Sequence, residues 1–228
     1  MDEQPHIKVA RNGPYHVTGN VPLSVQIIAT DPDGEPNEWI QGESVEAPAD
    51  CMLCRCGHSG SKPFCDDTHL KIGFDGTETA SRAPYAEQAR VIDGPGIALR
   101  DAQPLCAVAR FCHLNGTVWR QVKRINDPAS RENFVHQVGQ CPSGRLVAWS
   151  KETGEPVEPV LPISIGLVQD PTKDVSGPLW VRGGIQVESA DGASYEVRNR
   201  QTLCRCGASS NKPFCDGSHI NVGFRAER

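Results

Sequence analysis

A 22-residue segment occurs twice in this chain, and the repeat constrains the possible folds more than any other feature of the sequence. Positions 53–74 read LCRCGHSGSKPFCDDTHLKIGF, and positions 203–224 read LCRCGASSNKPFCDGSHINVGF. The copies lie 150 residues apart, align without a gap and are identical at 14 positions. A weaker likeness precedes each copy, at positions 13–21 and 177–185. Two copies of one segment predict two related structural units within a single chain.

The offset of the weaker likeness indicates where the two units differ in length. It is 164 rather than 150 residues, so the first unit carries 14 extra residues before its copy of the repeat. The turn-forming stretch at 31–36, DPDGEP, is where we expect this insertion. We therefore predict a first unit at residues 1–84, a central segment at 85–176 and a second unit at 177–228.

The remaining pattern predicts short strands with few helices. Alternating or β-branched runs at 21–29, 185–187 and 195–197 predict strands before each copy of the repeat. In the central segment, Asp127 and Pro128 predict the start of a helix that continues to Val138. Within each copy, the spacing from the third cysteine to the histidine suits a single helical turn with an aspartate N-cap. We expect a mainly β protein with small α content, of the α+β class, with a partly helical central insertion.

The chain contains ten cysteines, and its composition favours metal over disulfides as their role. Of 228 residues, 38% are hydrophobic and 22% charged, whereas disulfide scaffolds are typical of small secreted proteins. The polar, acidic start is unlike a secretory signal, and no apolar run approaches the roughly 18 residues of a membrane span. We therefore expect a cytoplasmic protein without a membrane partner. The net charge of −5 argues against nucleic acid as a partner.

Each copy of the repeat has the order Cys-x-Cys, eight residues, Cys, three residues, His. Three thiolates and one imidazole can supply the four protein ligands of a 2Fe-2S core, two for each iron. The candidate ligands are Cys54, Cys56, Cys65 and His69 in the first copy and Cys204, Cys206, Cys215 and His219 in the second. Tetrahedral zinc also accepts three cysteines and a histidine, but zinc sites favour two to four residues between paired cysteines. The one-residue spacing favours iron-sulfur over structural zinc.

The repeat resembles the CDGSH iron-sulfur domain, also called the mitoNEET family, whose pattern is C-x-C-x2-[ST]-x3-P-x-C-D-G-[STA]-H. The second copy matches this pattern throughout, from Cys204 to the run CDGSH at 215–219. The first copy departs from it at one position, where Asp67 replaces the glycine. If that glycine is left-handed, aspartate is among the few residues that tolerate the conformation.

The resemblance implies one 2Fe-2S cluster in each copy, bound by three cysteines and one histidine, in a fold with a β-sheet cap and a cluster-binding part. Members with a single motif are homodimers with two clusters, so two motifs in one chain imply a monomer with an internal pseudo-dimer. The family's roles, which are electron transfer, cluster transfer and redox or iron sensing, carry over as alternatives. The partner implied is another redox protein or an apo iron-sulfur protein.

The central segment resembles the divergent 4Fe-4S mono-cluster domain found beside CDGSH motifs in bacterial proteins. This likeness rests on Cys106-x5-Cys112, on Trp119 and on the run CPSGRL at 141–146. The candidate ligands of a third site are Cys106, Cys112 and Cys141, with Cys51 and His113 as candidate fourth ligands. Because a cluster normally takes four thiolates, the alternative is that these cysteines are ordinary buried thiols.

Three functional hypotheses follow. We find no nucleophile or phosphate-loop motif, so we favour an electron or cluster carrier without catalytic residues over an enzyme. The second hypothesis is an oxidoreductase subunit whose central segment binds a substrate or a third cluster. The third is a structural zinc-binding module.

Overall fold

A computed structural model describes residues 4–226 of the chain. Strand residues (31%) outnumber helical residues (18%), which confirms the predicted mainly β class. The strands are β1 (His6–Val9), β2 (Tyr15–Thr18), β3 (Leu23–Thr30), β4 (Pro36–Val45), β5 (Cys51–Leu53), β6 (Arg90–Asp93), β7 (Ile97–Asp101), β8 (Leu146–Ser150), β9 (Pro156–Val157), β10 (Ser164–Asp170), β11 (Val175–Arg182), β12 (Gln186–Glu188) and β13 (Arg200–Leu203). The α-helices are α1 (Thr68–Lys71), α2 (Tyr85–Gln88), α3 (Val118–Gln121), α4 (Pro128–Gly139) and α5 (Ser218–Asn221), with short 3-10 turns at Gln103–Leu105, Phe111–His113, Val122–Arg124 and Pro171–Lys173.

Two of the sheets repeat one arrangement of strands. One sheet has the order β12-β1-β2-β5, and the other has the order β13-β11-β10-β3-β4. Tyr15 of β2 pairs with Leu53, the residue before the first ligand of the first copy. At the corresponding place in the second unit, Leu179 of β11 pairs with Leu203. The strands β1, β2 and β5 therefore correspond to β10, β11 and β13.

The third strand of each unit is exchanged with the other unit. β12 follows β11 in the chain but runs parallel to β1 of the first unit, with Val187 opposite Ile7. Likewise, β3 of the first unit runs parallel to β10 of the second, with Val25 opposite Leu167. Each unit therefore completes the sheet of the other, and the buried side chains of both sheets form one shared core. Because each unit gives one strand to the other in the same way, the two units are related by an approximate internal twofold axis.

The insertion in the first unit is a β-hairpin. β3 and β4 are joined at Asp31–Glu35, where the Asp31 carboxylate accepts hydrogen bonds from the N–H groups of Asp33 and Glu35. This position agrees with the prediction. The strand predicted at 195–197 is wrong, because these residues lie outside the strands and only a single bridge, between Glu188 and Ser194, precedes them.

The central segment has a sheet of its own, β6-β7-β8-β9, with α4 packed on it. The Asp127 carboxylate accepts a hydrogen bond from the Ser130 N–H, and a capping box starts the helix at Pro128 as predicted. Phe134 and Val138 of α4 are fully buried in the core of this segment.

Arg200 of β13 ties the central segment to the second unit. Its side chain is 1% exposed and donates to the carbonyls of Gly139 and Cys141 at 2.8 and 2.7 Å and to the carboxylate of Glu158 at 2.7 Å. Because the last carbonyls of a helix have no partner within it, this contact fixes the end of α4 beside the second copy of the repeat. Within residues 4–226, the helices are too short or too polar to cross a bilayer.

Candidate metal centres

Backbone hydrogen bonds bring the separated parts of each copy together. In the first copy, the Cys54 N–H donates to the Pro63 carbonyl, and the Cys65 N–H donates to the Met52 carbonyl, both at 2.8 Å. The second copy forms the same two bonds, from Cys204 to Pro213 and from Cys215 to Thr202. The loop between the second and third cysteines therefore folds back, so that ligands distant in sequence meet at one place.

Each copy presents its four candidate ligands as two close pairs. The Sγ atoms of Cys54 and Cys56 lie 3.7 Å apart, and Cys65 Sγ lies 3.4 Å from His69 Nδ1. In the second copy the Sγ atoms of Cys204 and Cys206 lie 3.8 Å apart, and Cys215 Sγ lies 3.4 Å from His219 Nδ1. The two copies thus have the same ligand geometry.

These separations are those of two ligands on one tetrahedral metal. Two sulfurs bound at about 2.3 Å to such a metal lie roughly 3.8 Å apart, and a sulfur and an imidazole nitrogen lie slightly closer. A single zinc would hold all four donors at such distances. Among the described residues, the one set of three or more donors within 4.8 Å of one another is Cys65, Asp67 and His69. Two pairs per copy therefore fit a binuclear centre better than a single ion.

The ionisation of the buried ligands also suits a cationic centre. Burial raises the pKa of the Cys215 thiol well above its usual range and that of Cys56 to about 11. Burial lowers the pKa of His219 to about 4. Without a cation the Cys215 and Cys56 thiols are held protonated, whereas a bound metal supplies the positive charge that stabilises their thiolates, and the His219 imidazole is neutral and able to bind.

The aspartate after the third cysteine anchors the ligand loop. The Asp66 carboxylate accepts hydrogen bonds from the N–H groups of Gly60 at 2.8 Å and Thr68 at 3.1 Å. Asp216 binds Ser210 and Ser218 in the same way; burial opposes its ionisation, but these hydrogen bonds outweigh burial and lower its pKa to about 2. A single helical turn follows in each copy, as α1 and α5, and it carries the histidine but not the third cysteine, which the prediction had placed in the same turn. The N-cap is the left-handed residue after the aspartate, Asp67 in the first copy and Gly217 in the second.

The ligand loops of the two copies pack directly against each other. Gly57 has φ +82, and a Cβ on it would lie 2.5 Å from the carbonyl oxygen of Cys206. Gly207 has φ +78, and its Cβ would lie 2.4 Å from the carbonyl oxygen of Cys56. Glycine is required at both positions by the backbone conformation and by the close approach. The two candidate centres are therefore neighbours across the pseudo-twofold axis.

The two centres differ in their surroundings. Cys215 is 3% exposed, whereas Cys65 is only half-buried. The central segment covers the second centre, because the side chain of Val108 packs against the backbone of Gly217. Tyr15 also reaches from the first unit to the second centre, where its buried hydroxyl donates to the carbonyl of Cys204 at 2.8 Å. Neither contact could be predicted from the sequence, because each joins residues of different parts of the chain.

Arg55 and Arg205, which lie between the paired cysteines, are almost completely buried. The Arg55 guanidinium donates to the carbonyls of Gly13 at 2.9 Å and Gly76 at 2.6 Å, and it lies 5.3 Å from the centre of the Phe74 ring. Arg205 lies over the Phe224 ring in the second copy, and its Nε donates to the Gly177 carbonyl at 3.1 Å. The arginine in each Cys-x-Cys run therefore fastens the ligand loop to the start of the weaker likeness, at Gly13 in the first unit and Gly177 in the second.

The three central cysteines line one small cavity. Cys106, Cys112 and Cys141 surround it together with Arg145. Burial, reinforced by the neighbouring Cys141 and Cys106, raises the pKa of Cys112 to about 12. The proposed fourth ligands do not line this cavity: Cys51 is part of β5, and His113 is exposed beside Trp119.

Two family descriptions match the chain. The CDGSH-type iron-binding zinc finger matches residues 12–70 and 176–220. The chain carries two CDGSH-type regions. Between these CDGSH-type regions, residues 92–151 match the divergent 4Fe-4S mono-cluster family. Both resemblances are thereby confirmed, and the matches support iron-sulfur cluster binding.

The matched regions contain the candidate ligands. The two CDGSH-type regions include both sets of three cysteines and one histidine, and the central region includes Cys106, Cys112 and Cys141. No curated protein and no solved structure matches the chain.

Proposed function

We propose that this protein carries two 2Fe-2S clusters and acts as a one-electron carrier. The first cluster would be held by Cys54, Cys56, Cys65 and His69, and the second by Cys204, Cys206, Cys215 and His219. The observation that carries the proposal is the pairing of ligands in both copies, with paired donors 3.4 to 3.8 Å apart. Two such pairs suit two tetrahedral irons, which is the ligand requirement of a 2Fe-2S core.

The cluster, when bound, supplies one-electron oxidation and reduction. The residues of the chain hold it and set its environment. The N–H of His58 points to Cys56 Sγ at 3.5 Å, and the N–H of Gly217 points to Cys215 Sγ at 3.4 Å. Hydrogen bonds to the ligand sulfurs favour the reduced state and so raise the reduction potential. Neutral imidazole in place of a fourth thiolate acts in the same direction, because it removes one negative charge.

Electron transfer is preferred to cluster transfer and to sensing because the two centres adjoin. Gly57 and Gly207 bring the two ligand loops into backbone contact, so an electron held by either unit would be close to the other. The first centre is the more open of the two, since Cys65 and its neighbours reach the surface. The first unit would therefore be the face that meets a redox partner or an apo iron-sulfur protein, with the chain acting as a monomer.

The central cysteines support a second candidate, an oxidoreductase subunit with a third cluster. Cys106, Cys112 and Cys141 line one cavity inside the region that matches the 4Fe-4S family. Three thiolates would leave one iron of a cubane without a protein ligand among these residues. In this alternative, the central segment would exchange electrons with the second CDGSH-type centre, against which it packs.

Iron, sulfide and zinc analysis of the anaerobically purified full-length chain, together with its visible spectrum, tests the proposal. A red-brown protein with about four irons and four sulfides per chain would support two 2Fe-2S clusters, and about eight of each would add a 4Fe-4S cluster. If the protein holds only two 2Fe-2S clusters, a Cys112→Ser variant should keep about four irons per chain. If a 4Fe-4S cluster is also present, the same variant should fall from about eight irons to about four. A colourless protein with about two zincs would contradict cluster binding and favour the structural zinc module.

A further inference from the structure

The two copies of the CDGSH motif differ at the residue that precedes the helical turn. The second copy has Gly217 with φ +90, and the first has Asp67 with φ 63. The backbone conformation is left-handed in both, which glycine adopts freely and aspartate tolerates. The carboxylate of Asp67 is therefore an addition to the first centre that leaves its backbone similar to that of the second.

The central segment excludes a side chain from the second centre. A Cβ on Gly217 would lie 2.3 Å from Cγ2 of Val108 and 3.5 Å from the carbonyl oxygen of Cys106. Within residues 4–226, no element takes this place in the first unit, where Asp67 is exposed and Leu70 is 73% exposed. The structure thus leaves room for a carboxylate beside the first centre but not beside the second.

The Asp67 carboxylate lies among the ligand atoms of the first centre. One of its oxygens, the Cys65 Sγ and a ring nitrogen of His69 all lie within 4.8 Å of one another. Among residues 4–226, this carboxylate forms no hydrogen bond or ion pair. Its neighbour Asp66 is instead engaged by Gly60 and Thr68. Asp67 therefore brings a negative charge to the first centre with no structural task of its own.

We propose that Asp67 lowers the reduction potential of the first cluster and so makes the two clusters of this chain inequivalent. This inference rests on the proposed function. Reduction adds one electron, supplied by a chemical reductant or a donor protein, to a cluster that already carries negative charge together with its thiolates. A carboxylate within 4.8 Å of the Cys65 and His69 ligand atoms disfavours that step. At a separation of about 5 Å in a solvent-exposed setting, one charge changes the ratio of reduced to oxidised cluster at a given potential by about fourfold.

The test is a redox titration of the cluster-loaded full-length chain, followed by absorbance and by the electron paramagnetic resonance of the reduced clusters. Asp67→Asn removes the charge and keeps a side chain that tolerates the left-handed backbone. In Asp67→Asn, we expect the reduction potential of one cluster to rise enough to increase its ratio of reduced to oxidised form about fourfold at a given potential. The reduction potential of the other cluster should be unchanged. Asp67→Gly should raise the same potential, and Asp67→Glu should leave it near that of the unmodified protein.

Asp33→Asn is the matched control, because it removes the same charge from the exposed turn of the β3–β4 hairpin. Where the two potentials overlap, a His219→Cys background separates them, since a fourth thiolate lowers the potential of the second cluster only. Loaded clusters whose potentials are the same in Asp67→Asn and in Asp33→Asn would overturn the role of Asp67 and leave cluster binding intact. A chain without iron and sulfide would overturn both proposals.

Discussion

The carbonyl oxygen of Cys206 lies 2.5 Å from the point that a Cβ on Gly57 would occupy. The same relation holds between Cys56 and Gly207, at 2.4 Å. Because the ligand loops meet backbone to backbone, each loop takes its shape partly from the other. The two ligand loops therefore support each other, and a substitution in one loop should alter the conformation of both candidate centres.

Gly57→Ala should destabilise the protein more than Gly34→Ala does. Both glycines have φ +82, but nothing lies within 4 Å of a Cβ on Gly34. The backbone conformation costs about 1–2 kcal/mol in each variant, and displacing the Cys206 carbonyl adds about 1–3 kcal/mol in Gly57→Ala alone. Chemical unfolding measures the difference, and iron content shows whether both centres are affected. Equal losses of stability in the two variants would contradict the packing of the two loops.

Gly217→Ala should impair the second centre, whereas Asp67→Ala should leave the first one loaded. The added Cβ at position 217 meets Val108, while position 67 is open to solvent. The double variant Gly217→Ala with Val108→Ala removes the obstructing methyl group and should restore the iron content. Failure of the double variant to recover more iron than Gly217→Ala would mean that the left-handed backbone, and not Val108, requires glycine there.

Tyr15→Phe should weaken the second centre and the fold. The buried hydroxyl of Tyr15 donates to the carbonyls of Cys204 at 2.8 Å and Pro213 at 3.0 Å, and its loss leaves both without this donor. We expect the free energy of unfolding to fall by about 1–3 kcal/mol, with faster loss of the second cluster. Tyr195→Phe is the control, because that hydroxyl donates to the carboxylate of Glu78 and not to a ligand residue, so its loss should affect stability without changing cluster retention.

Asp101 should make the central segment sensitive to acid. Burial opposes its ionisation, but hydrogen bonds from Arg145 at 2.6 Å, Trp119 at 2.9 Å and Arg90 at 2.8 Å outweigh burial and lower its pKa below the ordinary value. A depressed carboxyl pKa contributes stability that is present above the unfolded-state pKa and is lost as the pH falls through the folded-state pKa.

Asp101→Asn should therefore reduce the free energy of unfolding at neutral pH by about 3–5 kcal/mol, because it leaves the largely buried Arg145 without its anion. The difference between variant and unmodified protein should shrink as the pH is lowered towards 3. Unfolding curves at pH 7, 4 and 3 check this, with Asp33→Asn as a control at the exposed turn of the β3–β4 hairpin. A difference that stays constant with pH would contradict the assigned role of Asp101.

The sequence by itself determined what depends on local order. The class of the protein, the likeness to the two families, the helix after Asp127 and the turn of the insertion at 31–36 could all be predicted, because each rests on residues close together in the chain. The two ligand sets could be proposed for the same reason, since all four candidates of each set lie within sixteen positions. Their binding of iron remains a prediction.

Only the tertiary structure decided which of these local pieces meet. The exchange of β3 and β12 joins strands from the two units, and no periodicity within either unit specifies that partner. The contacts of Gly57 with Cys206 and of Gly217 with Val108 likewise join residues more than one hundred positions apart. Such contacts depend on the packing of complete sheets, which local sequence does not specify. Only the folded chain therefore shows that the second centre is covered by Val108 and that the first is open to solvent beside Asp67.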